Sequence, residues 1–375
     1  MKKKKISKTI IINTILIVAI AAVIIPRIPK PDQGSTSDFE IIDRQPTVME
    51  SDDYISQPYW TRDGANICKA SDGGYYIKED NVLYYYNSEL TDKTEIMTDA
   101  EGVLGEYIYG YEDNIYAFQK SDRKVDVVSL SKDGIRVLFE AGYYEAEYFN
   151  KWKLVRQGDY IYVCNSRPEQ KLSIYRYKTD GSGKECIAKF ESDGGYFADM
   201  KGYGADVFYS VVGDATEDTR GMKIANVYRY DCDTGTTMRV IAYPFGYFTI
   251  HQKRNMLFGY YVINDEIASL DMKAVTNNAD ESDISPMGLE YDCGVESYVF
   301  SNANNLCAVI YKDNAKQIYV THECASEPDP VQYIDIPEDE DVVFADDTYI
   351  FFSSGRVLRA EDLAKGTYND SFMIR

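Results

Sequence analysis

The chain has 375 residues, of which 45 % are apolar and 27 % charged; this excludes a disordered polymer and allows two ordinary domains or one large repeat domain. Its 34 tyrosines stand beside only two tryptophans and two histidines. A ring that packs inward while its hydroxyl still reaches water suits strand positions, so the composition leans to an all-β fold. The formal net charge is −21, and seven lysines and arginines with no acid precede Asp32, leaving 33 basic against 61 acidic side chains beyond it; such a field repels phosphate backbones and excludes nucleic acid as a partner.

In chain order, the first expected element is a transmembrane helix. Lys2, Lys3, Lys4, Lys5 and Lys8 precede an apolar run from Thr9 to Ile25, which Pro26 ends. At about 1.5 Å per residue the run covers about 25 Å, near the lower limit for a span. The positive-inside rule then predicts a cytoplasmic tail over 1–8, a signal anchor over 9–25 and a single-pass, extracytoplasmic placement of the remainder. A cleaved signal peptide competes, because Ala19-Ile20-Ala21 fits a small-x-small site, although that site lies inside the apolar run. Residues 26–53 are polar and proline-bearing, as in a linker, and 54–375 are assigned to the folded domain.

Beyond the linker the chain repeats. Turn residues precede a strand-like run at Asp72-Gly73-Gly74, Asp113-Asn114, Gly158-Asp159, Ala205-Asp206, Arg254-Asn255, Asn304-Asn305 and Asp346-Asp347. Asp, Asn and Gly supply the positive φ that tight hairpins need, and a spacing of roughly 40 to 50 residues is that of a four-stranded propeller blade. Each unit adds a third strand, such as "LSIYRYKTDG" from Leu172, and an outer strand, such as "IRVLFEA" from Ile135. Inner strands are expected at "NICKAS" from Asn66, "AEYFNKWKLV" from Ala146 and their counterparts, and the fifth unit's outer strand at "MGLEYDC" from Met287. The reading is a single all-β propeller of four-stranded blades, seven by best count and six or eight otherwise, preceded by the transmembrane helix.

"PYWTRDGANICKASDGG" (58–74) looks like a YWTD propeller repeat with an arginine inserted, but the repeat register makes "NICKAS" an inner strand and no other unit carries the box. A broader likeness lies in "DYIYVCNSRPEQKLSIYRYKTDGSGKECIAKF" (159–190) and "DVFYSVVGDATEDTRGMKIANVYRYDCDTGTTMRVI" (206–241). These units resemble the tyrosine-rich propellers of bacterial surface proteins grouped in an uncharacterised family likened to the receptor-related YWTD propellers. The resemblance implies an exported propeller and supplies no catalytic residues.

Few chemical motifs appear. His251 and His322 fall in different units, which disfavours a His-rich metal centre or a His-dependent triad. "SKDGIRV" lacks the glycine spacing and tryptophan of a sialidase Asp-box, and there is no nucleophile elbow, P-loop or dinucleotide fingerprint. The seven cysteines form no C-x-x-C, and their pairing is open. No cofactor is expected; calcium is a minor alternative at the acidic stretches "PEDED" (Pro337–Asp341) and "NADESD" (Asn278–Asp283), neither of which has EF-hand spacing.

Propellers bind ligands on the face built from blade-to-blade loops and second-to-third-strand loops. Here it would gather Glu101, Tyr143, Tyr144, Glu145, Asp193, Phe245 and Asp339, with Arg167 and Arg220 on two long loops. Tyr143 and Tyr144 have the competing role of capping the core. The expected function is a non-enzymatic, membrane-anchored binding or scaffold module for a protein or cell-wall polysaccharide. The alternative is a secreted carbohydrate-active hydrolase or lyase using paired carboxylates.

Overall fold

The computed structural model describes residues 60–374 apart from 62–63, 112, 166–171, 191–195, 205, 216–222, 242–244, 252–255, 262–265, 273–284, 287–297, 302–305, 313–314, 322–331 and 364–366. Seven sheets form in chain order. Six are four-stranded and each is a simple antiparallel meander; the seventh has five strands. Blade 1 runs through Ile67–Lys69, Tyr75–Glu79, Val82–Tyr86 and Lys93–Thr98. Blades 2 to 6 begin at Leu104, Trp152, Tyr196, Phe245 and Tyr298. Blade 7 comprises Val342–Ala345, Tyr349–Phe352, Arg356–Arg359 and Phe372–Met373, with Trp60–Thr61 added on its inner edge. First strands of successive blades touch one another from blade 1 to blade 6, and Trp60–Thr61 touches the first strand of blade 6 from blade 7, which makes these strands the innermost. The chain is a seven-bladed propeller, and the counts of six and eight are set aside.

A blade packs both of its faces on neighbours, so its middle strands read as continuous apolar runs instead of alternating. Ile115–Phe118 and Ile161–Cys164 are buried at every position. The buried side chains among the described residues fall into seven clusters, one in each seam between adjacent blades, including the seam that joins blade 7 to blade 1. Tyrosine fits these seams because a large ring fills them, provided the hydroxyl finds a partner. The partners lie across the seam. Tyr109 Oη donates to the Trp152 carbonyl at 2.9 Å, Tyr177 Oη to the Glu140 carbonyl at 3.2 Å, and Tyr298 Oη accepts the Val342 amide at 2.9 Å.

Closure of the ring is polar as well as apolar. Tyr75 of blade 1 donates to Asp346 Oδ2 of blade 7 at 2.7 Å, and Lys69 Nζ lies 2.6 Å from the same oxygen. Asp346 Oδ1 accepts the Thr348 and Tyr349 amides at 2.8 and 2.7 Å, so the carboxylate, itself fully buried, holds its own turn and the neighbouring blade together.

Several expectations are corrected. Among the described residues no helix is long and apolar enough to cross a membrane; the helical elements described are 3-10 turns of three to six residues. The proposed transmembrane segment 9–25 lies outside the described residues. The membrane anchor, the membrane as partner and the single-pass placement therefore do not enter the function argued below. The third blade's inner strand begins at Trp152, because Ala146–Lys151 forms a 3-10 helix. In blade 5 the outer strand is Ser285–Pro286, paired with Ser269 and Ala268, while the expected 287–293 lies outside the described residues. Trp60–Thr61 pairs with Ala345 and Phe344, so the YWTD-like box is neither a second strand nor part of blade 1.

Candidate functional site

The segment entering blade 1 shapes the site. After Trp60–Thr61, Ala65 bridges to Ile108 of blade 2, and the Thr61 carbonyl accepts Lys201 Nζ of blade 4 at 3.2 Å. The intervening turn uses Gly64 at φ +113°, where a Cβ would meet the Tyr107 ring at 2.8 Å. Glycine at 64 therefore lets Tyr107 approach the backbone closely.

Beside that turn a cleft of about 760 Å³ opens between blades 7 and 1. Its lining draws on the second-to-third-strand turns of both blades, Glu79–Asp80 and Ser353–Gly355, on Glu106 and Tyr107 of blade 2, on Asp341 and Val343, and on the terminal Met373 and Ile374. Met373 is 52 % exposed, one of the few large apolar side chains among the described residues that are. Asp80 and Glu106 are exposed carboxylates.

The charges are arranged in layers. Lys78 is 9 % exposed and donates to the Asp80 carbonyl at 2.6 Å; burial holds its ammonium below the usual lysine range, against the opposing pull of Asp99, Glu106 and Asp80. Glu79 is engaged at both oxygens, by Tyr86 Oη and by Lys93 Nζ at 3.2 Å. Burial and that hydrogen bond push the Tyr86 hydroxyl up to about 12, while Tyr86 and Glu79 raise Lys93. Asp341 Oδ1 takes Lys316 Nζ at 2.7 Å. The apolar surface and the carboxylates can hold an extended ligand by burial at one end and by charge at the other.

Of the described residues expected at the ligand face, none lines this cleft. Glu101 is exposed in the turn after blade 1, and Asp339 is exposed in the turn before blade 7. Tyr143 is 76 % exposed at the end of blade 2, and Glu145 is exposed beside it. Tyr144 packs edge-on against Phe149 at 5.3 Å over the seam of blades 2 and 3, consistent with a capping role. Phe245 opens the first strand of blade 5. Arg167, Asp193 and Arg220 lie outside the described residues. Sequence reasoning missed Tyr107, Val343 and Met373; an apolar residue at the exposed end of the chain was the one local signal.

Among the described residues no three His, Cys, Asp or Glu side chains are grouped to hold a metal ion. In "PEDED", Glu338 and Asp339 point to solvent and Glu340 is buried, while Asp341 is ion-paired; "NADESD" lies outside the described residues. Cys68, Cys164, Cys232 and Cys307 are free thiols.

No known family matches the chain, and no curated protein does. Among solved structures it is similar to the complex of KlAtg21 with the coiled coil of AgAtg16, at 14 % identity and a TM-score of 0.51, over 78 % of this chain and 92 % of that one. It is also similar to the tricorn protease, at 8 % identity and a TM-score of 0.51, covering 90 % of this chain but 36 % of that one. A prolyl endopeptidase aligns at 10 % identity and a TM-score of 0.50, over 81 % of this chain and 47 % of that one. At these identities the likeness is one of fold.

Proposed function

We propose that the chain is a non-enzymatic binding module that holds a protein segment or a cell-wall polymer in the cleft between blades 7 and 1. The cleft itself carries this reading: an apolar wall and exposed carboxylates converge at a seam fixed by the buried Asp346 network. The resemblance of residues 159–190 and 206–241 to tyrosine-rich bacterial surface propellers agrees with it, as does the similar fold seen in complex with a coiled coil. The competing hydrolase or lyase would use two carboxylates of this cleft. Of the four lining carboxylates, Glu79 and Asp341 already accept hydrogen bonds from Tyr86, Lys93 and Lys316, and Asp80 and Glu106 stand exposed to solvent, an arrangement that suits a binding wall better than an acid–base pair held against a substrate.

The test immobilises the full chain beside a Ser354→Trp variant, whose indole fills the cleft mouth, and applies defined proteins and purified wall polysaccharides. Saturable retention by the native chain that the variant loses supports the proposal. Retention equal in both, or a polysaccharide shortened after contact with the native chain, overturns it.

A further inference from the structure

We infer that the occupant of the cleft is an extended basic peptide with an apolar anchor, an inference that depends on the binding role proposed above. Three observations select it.

The first is charge. The cleft is lined by four carboxylates, Glu79, Asp80, Glu106 and Asp341, against two lysines, Lys78 and Lys93. Glu79 and Lys93 neutralise one another, Asp341 is paired with Lys316, and Lys78 is buried beneath the Asp80 turn, so the surplus charge is that of Asp80 and Glu106. Asp80 and Glu106 face solvent, and neither enters an ion pair among the described residues. The surrounding chain, at a net charge of −21, adds a long-range field that draws cations toward this rim and repels acidic polymers.

The second is the wall. Met373 is exposed beside Ile374, Val343 and Tyr107, none of which is fully buried. Methionine adapts to side chains of different shape, so the exposed Met373 with Ile374 suits an apolar anchor. A neutral sugar would leave this apolar pair in water.

The third is the strand at the wall. Phe372–Met373 is only two residues long, pairs on one side with Val357 and Arg356, and ends its sheet. No further strand pairs with its other edge among the described residues, so an extended peptide entering along Met373 and Ile374 can add to it, a match in spacing that a polysaccharide lacks.

The experiment measures fluorescence anisotropy of a labelled peptide of alternating lysine and leucine, titrated with the full chain, beside its glutamate–leucine counterpart. The expected result is saturable binding of the basic peptide alone. Met373→Glu and the pair Asp80→Asn with Glu106→Gln should each weaken it about ten-fold, and so should raising salt well above physiological strength. Far-ultraviolet circular dichroism confirms that each variant is folded, and Val137→Glu, at an exposed position on blade 2, serves as the surface control. Binding that survives both cleft variants, or that Val137→Glu weakens equally, reflects general attraction to an acidic surface and overturns the inference. If the basic peptide does not bind while Ser354→Trp still abolishes retention of a polysaccharide, this inference falls and the binding module stands. If neither ligand is retained, both fall.

Discussion

Replacing Tyr75 by phenylalanine isolates one bond of the seam that closes the ring. The ring of Tyr75 packs against Phe344, Tyr349 and Phe351 at centroid distances of 6.0, 5.8 and 5.4 Å, contacts that phenylalanine retains. What is lost is the hydroxyl's 2.7 Å bond to a buried carboxylate, worth about 1.5–3 kcal/mol for a charged acceptor. Asp346→Ala removes more: that bond, the Lys69 ion pair and two backbone amide bonds, for about 3–5 kcal/mol. The two changes share a partner, so their sum overstates the double variant by about 1–2 kcal/mol. Guanidinium unfolding followed by circular dichroism reads all three. A Tyr75→Phe loss below about 0.5 kcal/mol, or strict additivity in the double variant, would refute the claim that this network holds the seam.

Other outcomes follow from the same packing. Arg229, fully buried in blade 4, pairs with Asp206 at 2.8 Å and Asp231 at 3.5 Å, and Arg229→Ala takes the cation from two buried carboxylates at a cost of about 3–5 kcal/mol in the same unfolding assay. A Cβ at Gly74 would meet the Tyr86 carbonyl at 2.5 Å, and since backbone cannot yield there, Gly74→Ala loses about 1–3 kcal/mol in denaturant midpoint. Burial raises the hydroxyls of Tyr75, Tyr162, Tyr177 and Tyr209 above their ordinary 10.0, and Tyr230 to about 12. The folded chain thus binds these protons more tightly than the unfolded one, so stability is intact below pH 10 and falls as the pH rises above it; a tyrosinate absorbance titration should show ionisation and unfolding together. Burial pushes Cys164 up to about 12 and raises Cys68 and Cys307 as well, so at pH 8 a thiol reagent should label these three only after denaturation, as mass mapping will show.

Much of the fold was legible because a blade is a local meander. The turn at Asp113-Asn114 and the runs "IYAFQ" and "KVDVVSLS" each announce themselves within a few residues, and Asn114–Ser121 and Lys124–Ser131 pair as a hairpin. The inner strand of blade 3 was overextended since "AEYFNK" carries Tyr148 and Phe149, rings that favour strands, yet it bends into a 3-10 helix that places Phe149 against Tyr144. Trp60–Thr61 was illegible for another reason: its partners, Phe344 and Ala345, lie at the far end of the sequence, and a two-residue strand has no period of its own. The same separation hid the cleft. Glu106 and Met373 share a wall only once blade 7 has met blade 1, an encounter that Tyr75 and Asp346 make across 271 positions.

That fifth strand sets the order in which the molecule can be finished. During synthesis, blades 1 to 6 can each form from contiguous chain as they emerge, but Trp60–Thr61 has no pairing edge until Val342–Ala345 has been made. The apolar side of blade 1 that later meets Phe344 and Phe351 waits as long. Closing so large a loop carries an entropic cost before any contact rewards it. The expected kinetics are fast acquisition of strand content followed by a slow docking step, and a nascent chain released before residue 342 would expose one sticky blade face at each end of an open arc.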